Sequence, residues 1–206
     1  DAALKAWGAG DEVLVLGGGS NVVIADAGYD GTVIHVATRG IERLPGDGVR
    51  LRVEAGEPWD ALVAFTVEQG WSGIEALSGI PGSAGAAPIQ NIGAYGQELG
   101  DSLMAIEFLD YDSGEVVSLS AVDLGLGYRT STLKRGRQGV VLAIELRLSD
   151  SPTTTVGYEQ LAGALGVAVG AHVPAASVRA SVLALRASKG MVLDPADPDS
   201  VSCGSF

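Results

Sequence analysis

Three glycines, a serine and an asparagine, Gly17-Gly18-Gly19-Ser20-Asn21, stand directly after the apolar run Val13-Leu14-Val15-Leu16. Successive glycines can turn their backbone N–H groups toward one point. That makes a concave nest for an anion such as a diphosphate, to which Ser20 and Asn21 add side-chain donors. The loop is not the nicotinamide-dinucleotide fingerprint, because Val22 stands where a third glycine belongs and a β-like run, Val22-Val23-Ile24, follows in place of a helix. It is not a Walker loop either, since no Gly-Lys-Ser/Thr follows. Taken alone, it reads first as a tight β-turn.

A second small-residue segment runs from Gly79 to Gly96 and includes Ile80-Pro81-Gly82-Ser83 and Gln90-Asn91-Ile92-Gly93-Ala94-Tyr95. Its glycines and alanines let the main chain approach a flat ligand, and the Gln90 and Asn91 amides can read ring edges. An esterase elbow would need glycine two residues before Ser83, where Pro81 stands. A loop that merely turns the chain is the plain alternative. Tyr128-Arg129 offers a fixed positive charge and a planar fork suited to a carboxylate, although such a pair in a loop is more often structural. His35 and His172 have no metal-ligand spacing, and Cys203 has no evident helper, so no metal or thiol chemistry is expected.

The elements that must carry these residues are legible in outline. Val33–Val36, Leu51–Ala55, Leu103–Asp110, Glu115–Leu119 and Leu142–Leu148 read as strands. Pro58 opens a helix with Trp59, Leu62, Val63 and Val67 on one face, ended by Gly70. The polar stretch Ser149–Thr153 reads as a boundary, followed by helices. One of these spans Ala175–Lys189 with Val178, Val182 and Leu185 on one face, and Lys189 extends that stripe. The plain alternative for Lys189 is a lysine that snorkels at a helix end. The plain reading is α+β, with 1–148 as one region and 149–206 as the start of another.

Composition narrows the partners. A formal charge of −12 over 206 residues argues against binding a phosphate backbone. The dense positive patch Lys134, Arg135, Arg137 is expected to be a solvated turn. No apolar run approaches the roughly 18 residues of a membrane span, and no secretory leader is visible. One cysteine fits a reducing compartment, so the expected location is the cytoplasm.

The segments Gly17–Asn21, Gly79–Gly96, Tyr128-Arg129-Thr130-Ser131 and Gly204-Ser205-Phe206 occur in the order found in the UDP-N-acetylenolpyruvoylglucosamine reductase family. The chain resembles that family along essentially its whole length. The resemblance implies a vanillyl-alcohol-oxidase-type FAD-binding fold of two α+β subdomains, followed by the start of a substrate-binding α+β domain. It implies non-covalent FAD, with Gly17, Gly18, Gly19, Ser20, Asn21, Ile80, Pro81, Gly82 and Ser83 near the diphosphate. Gln90, Asn91, Gly93, Ala94 and Tyr95 would lie along the flavin.

By the same resemblance NADPH is the co-substrate, and hydride passes through the flavin to UDP-N-acetylglucosamine enolpyruvate, giving UDP-N-acetylmuramate for peptidoglycan. Arg129, beside Tyr128, would hold the substrate carboxylate and stabilise the enol-like charge. Ser205 would protonate the carbanion, Lys189 would meet the substrate diphosphate, and Tyr158 would be the family's substrate-covering tyrosine. The family also has a late glutamate that this sequence does not include. A monomer is expected. Two rivals stay open: another oxidoreductase of the same flavin fold, and a flavin-binding fragment without turnover.

Overall fold

The computed structural model describes residues 5, 7, 10, 12–192, 194, 196–198 and 200. Its centre is a five-stranded antiparallel sheet in the order β3-β4-β9-β7-β8, where β3 is Ile41–Leu44, β4 Val49–Glu54, β7 Leu103–Asp110, β8 Val116–Ser120 and β9 Gly139–Leu148. The period-two pattern of β4 explains its place. Val49, Leu51 and Val53 are fully buried, while Arg50, Arg52 and Glu54 point to the other face. The central strand β9 supplies Ile144, Leu146 and Leu148 to the same core. Helix α1, Trp59–Glu68, adds Trp59, Leu62 and Val63. Thr66, not Val67, completes its buried face; the Thr66 hydroxyl donates back to the Val63 carbonyl at 2.9 Å and is thereby satisfied.

The polar face of the sheet is knitted by charge. Arg52 donates to both oxygens of Glu107 (2.8 and 2.7 Å) and to Glu54 (2.6 Å). The Arg52 guanidinium therefore holds the Glu107 carboxyl below the usual carboxylate range.

A separate parallel pair, β1 (Val13–Leu16) and β2 (Thr32–His35), carries the first glycine loop at its carboxyl end. The expected strand at Val22-Val23-Ile24 does not form. These residues follow a turn, have no ladder partner and are exposed, Val23 completely. β-Branched side chains favour extended backbone, but without a neighbouring strand that preference makes no sheet. Conversely β3, with Glu42 and Arg43 at its centre, was not expected. It is a short edge strand whose charges face solvent.

A small hairpin of β5 (Gly93–Ala94) and β6 (Gln97–Glu98) leads into β7. After β9 come β10 (Thr153–Thr155), helix α2 (Glu159–Leu165), β11 (His172–Pro174) and helix α3 (Ala175–Ala187). They share a second apolar cluster formed by Ala76, Val156, Leu161, Ala162, Val178 and Val182. Helix α3 ends at Ala187, two residues short of the expected limit. Its buried stripe is Ala175, Val178, Val182 and Arg186, and Lys189 lies beyond the helix, exposed. The loss of helical phase after Ala187 is what removes Lys189 from the stripe.

Ile144 is fully buried at the middle of the sheet, so Ile144→Ala is expected to cost about 2–5 kcal/mol of stability in denaturant unfolding. A loss under about 1 kcal/mol would contradict this placement of the core.

Candidate functional site

The two glycine-rich segments meet face to face. A Cβ placed on Gly18 would sit 3.3 Å from the Gly82 Cα, and one on Gly17 would sit 2.6 Å from Ser83 Oγ. Gly82 has φ +115°, a conformation that side chains rarely allow. The seam is thus main chain against main chain. It opens into a cleft of about 240 Å³ lined by Val15 to Val22, Trp59, Pro81 to Ser83, Ala86, Ala87, Ile89, Gln90 and Ile92. A smaller apolar cavity of about 90 Å³, reaching Val36 and Val141, shares Val15, Gly17, Ser83, Ala86 and Ile89 with it.

No charged side chain among the described residues lines the cleft. Among the described residues, the backbone N–H groups of Gly18, Gly19, Ser20, Asn21, Gly82 and Ser83 donate no hydrogen bond within the protein. Unpaired N–H groups along one side of a largely apolar, partly backbone-walled concavity suit an anion held by dipoles. Trp59 closes one wall; it is 1% exposed and its indole N–H donates to the Leu77 carbonyl at 3.0 Å.

The sequence-predicted residues therefore divide. Gly17, Gly18, Gly19, Ser20, Asn21, Pro81, Gly82, Ser83 and Gln90 come together in the cleft. Ile80 packs against the main core and Ala94 does the same from the hairpin. Asn91 is buried, and its amide is spent inside the protein: it donates to Glu98 (2.9 Å) and the Gly127 carbonyl (3.1 Å), and it accepts from the Gly100 N–H (2.9 Å). Its positive φ of 44° also ends the 3-10 turn Ala87–Gln90. Tyr95 turns away toward Tyr158, with ring centroids 6.0 Å apart and edge to face. Burial pushes the Tyr95 hydroxyl's pKa up.

The loop with Tyr128-Arg129 braces this segment. Arg129 donates to the Asn91 carbonyl at 3.0 Å and to the Gly93 carbonyl, and Ser131 donates to the Ile89 carbonyl at 2.6 Å. Arg129 itself has φ +54°, its guanidinium carbon 5.0 Å from the centre of the exposed Tyr128 ring. The expected solvated patch is more engaged than predicted. Lys134 Nζ donates to the Arg129 carbonyl (3.0 Å), Arg135 to Thr130 (3.2 Å), and Arg137 to Asp110 (2.7 Å). Lys134 thereby satisfies a loop carbonyl, while Arg135 ties to a loop hydroxyl and Arg137 ties the loop's end to the carboxylate of β7. The small hairpin joins the two groups, with Arg129 against Gly93 and Tyr158 against Gly96.

Helix α3 adds two residues, Arg179 and Arg186, that had no motif to mark them, and α1 adds their partner Asp60. Arg179 grips Asp60 of α1 with two bonds, 2.6 and 2.9 Å, and Asp60 accepts the Gly79 N–H at 2.6 Å. Arg186, 7% exposed, donates Nε to the Gly79 carbonyl at 3.1 Å. The Arg179 guanidinium holds the Asp60 carboxyl below its usual range, against the opposing pull of burial. Only the spacing of Arg179 and Arg186 on the face of Val178 and Val182 could have flagged them.

His35 and His172 are exposed, and among the described residues no group of side chains could hold a metal ion. Cys203 and Ser205 lie outside the described residues.

Fold and cleft together define an α+β protein with a partly backbone-walled cleft where two glycine-rich loops meet. The profile of the FAD binding domain family matches residues 2–120. The chain belongs to that family. Among its relatives, the UDP-N-acetylenolpyruvoylglucosamine reductase of Leifsonia xyli subsp. xyli is 60% identical over 99% of this chain and 57% of its own length. That of Salinispora arenicola is 55% identical over 96% and 55%. The crystal structure of UDP-N-acetylenolpyruvylglucosamine reductase (MurB) from Thermus caldophilus superposes with a TM-score of 0.61 at 29% identity, covering 87% of this chain and 57% of that one. The chain thus spans a little over half the length of these relatives.

The depressed Asp60 carboxyl makes one pH dependence explicit. Its contribution is present above the ordinary aspartate pKa and is lost as pH falls through the lowered folded value. The melting-temperature gap between the wild type and Asp60→Asn is therefore expected to be constant from pH 7 to about pH 5 and to shrink below about pH 4. A gap that widens on acidification would contradict the assignment.

Proposed function

We propose that this chain is the FAD-holding part of a reductase that converts UDP-N-acetylglucosamine enolpyruvate to UDP-N-acetylmuramate with NADPH, in peptidoglycan precursor synthesis. The observation that carries the proposal is the uncharged cleft walled by unpaired N–H groups, with Arg129 bonded to the segment at its far end. The names of the relatives supply the substrate class. When bound, FAD supplies the hydride relay between the nicotinamide and the enolpyruvyl group.

The protein's part is positioning and charge. The N–H groups of Gly18–Asn21 and Gly82–Ser83 take the diphosphate, and Val15, Ile89 and Trp59 exclude water from the adjoining wall. Arg129 spends two donors on the Asn91 and Gly93 carbonyls, and its fork has others left for a substrate carboxylate. Because those carbonyls belong to the segment beside the cleft, substrate charge and flavin edge are held in one register. Tyr158, 46% exposed and packed on Tyr95, is placed to cover a ligand there. Lys189 is an exposed cation at the end of α3, suited to the substrate's diphosphate. Ser205 is assigned the proton delivery by its motif alone. The division after Leu148, the non-covalent hold on FAD and a cytoplasmic location belong to the same proposal.

A second reading concerns this length of chain rather than its family. Residues 1–206 correspond to 57% of the Leifsonia relative, so the chain alone would bind flavin, with turnover residing in the longer protein.

The test has two readouts. The purified chain should take up FAD with a yellow flavin spectrum and release free FAD on denaturation; a colourless chain that cannot be reconstituted overturns the proposal. In the longer protein, NADPH oxidation should depend on the enolpyruvyl substrate. There Arg129→Lys should lower kcat/KM by about 10²–10³ with flavin still bound. Equal activity in that variant would remove Arg129 from the mechanism.

A further inference from the structure

The backbone of Gly79 is held on both sides, through the peptide that precedes it and the one that follows. Its N–H goes to Asp60 Oδ1 at 2.6 Å, and its carbonyl accepts Arg186 Nε at 3.1 Å. Asp60 is itself fixed by the two-bond grip of Arg179, and Arg186 also donates to the Met191 carbonyl at 3.4 Å. Gly79 has φ +71°, and a Cβ on it would meet Leu183 at 3.0 Å and Arg186 Nε at 3.1 Å. The fit is therefore close on every side, and it sits three residues before Gly82, the residue that abuts Gly18 across the cleft seam.

The Arg179–Asp60 pair is half-buried, with 17% and 41% of the two side chains exposed, and Arg186 is buried without a carboxylate within bonding range among the described residues. Burial draws the Arg186 pKa down, so the fold sustains an electrostatic cost at this position. The closer bond of Arg186, at 3.1 Å, goes to the Gly79 carbonyl at the entrance of the second glycine loop.

We propose that Asp60, Arg179 and Arg186 are positioning residues for the flavin site: they form a clamp through which helix α3 sets the entry angle of the Gly79–Ser83 loop. This rests on the FAD reading above. The decisive element is acceptance of the Gly79 N–H by residue 60, not the ion pair as such. Asparagine at 60 keeps an oxygen for that N–H, alanine does not, and a reversed pair restores the charge attraction without restoring the acceptor.

The experiment measures FAD dissociation constants and melting temperatures for the wild-type chain and four variants. Asp60→Asn should stay within about threefold of the wild-type FAD affinity, whereas Asp60→Ala and Arg186→Met should each weaken it about tenfold or more. The double variant Asp60→Arg/Arg179→Asp should regain melting temperature relative to Asp60→Ala while FAD affinity stays about tenfold down. FAD affinity that simply follows melting temperature across the series, or that is unchanged in Asp60→Ala, overturns the clamp. If the double variant does not fold, the comparison of Asp60→Asn with Asp60→Ala decides: equal losses overturn the clamp. A wild-type chain that takes up no FAD overturns the functional reading, and the clamp with it. A wild-type chain that binds FAD, with variants failing the pattern, overturns the clamp alone.

Discussion

The site depends on one contact, the approach of the Gly17–Gly19 main chain to the main chain at Gly82. A Gly18 side chain would begin 3.3 Å from the Gly82 Cα, so any residue but glycine there would push the two backbones apart by a few tenths of an ångström. The two loops come from different parts of the fold. One follows β1 of a two-stranded parallel pair, and the other leaves α1 by way of a 3-10 turn at Glu75–Leu77. Only the five-stranded sheet and its helix hold them in range, through a core that includes Leu51, Trp59, Leu62 and Ile144. The stiffness of that core is what allows an open, weakly bonded cleft to keep its shape.

Around this contact the protein places its charges at a distance. Arg129 reaches the segment beyond the cleft, Arg179 and Arg186 reach the loop before it, and Arg52 is absorbed by Glu54 and Glu107 on the far face of the sheet. Each of these arginines is bonded to backbone carbonyls or to carboxylates. The cations act as struts, and the backbone is left to face the ligand.

Much of this was legible in the letters. The alternation of Val49, Leu51 and Val53 with Arg50, Arg52 and Glu54 is a period that only a half-buried strand explains, and the glycine runs were conspicuous because no packing motif requires them. What escaped has physical reasons. Val22–Ile24 had strand chemistry but no partner, and pairing is a tertiary fact. Asn91 looked like a ring reader, yet in the fold its amide closes a turn and secures Gly127, because a left-handed residue in a buried loop must satisfy its neighbours. Lys189 lost its face when the helix ended at Ala187. The Asp60–Arg179 pair spans more than a hundred residues of sequence, and no local pattern encodes such a meeting.

The absence of charged side chains from the cleft lining has a consequence for how it meets salt. A diphosphate gripped by lysines or arginines is loosened as counterions compete at long range, over a screening distance of about 8 Å at physiological ionic strength. N–H dipoles act at contact distance, although the loop from Gly18 to Asn21 that carries them is exposed. Retention of an anionic ligand then rests more on loop geometry than on long-range charge attraction. A chain that itself carries a net charge of −12 can thereby keep a negatively charged guest without a compensating positive surface.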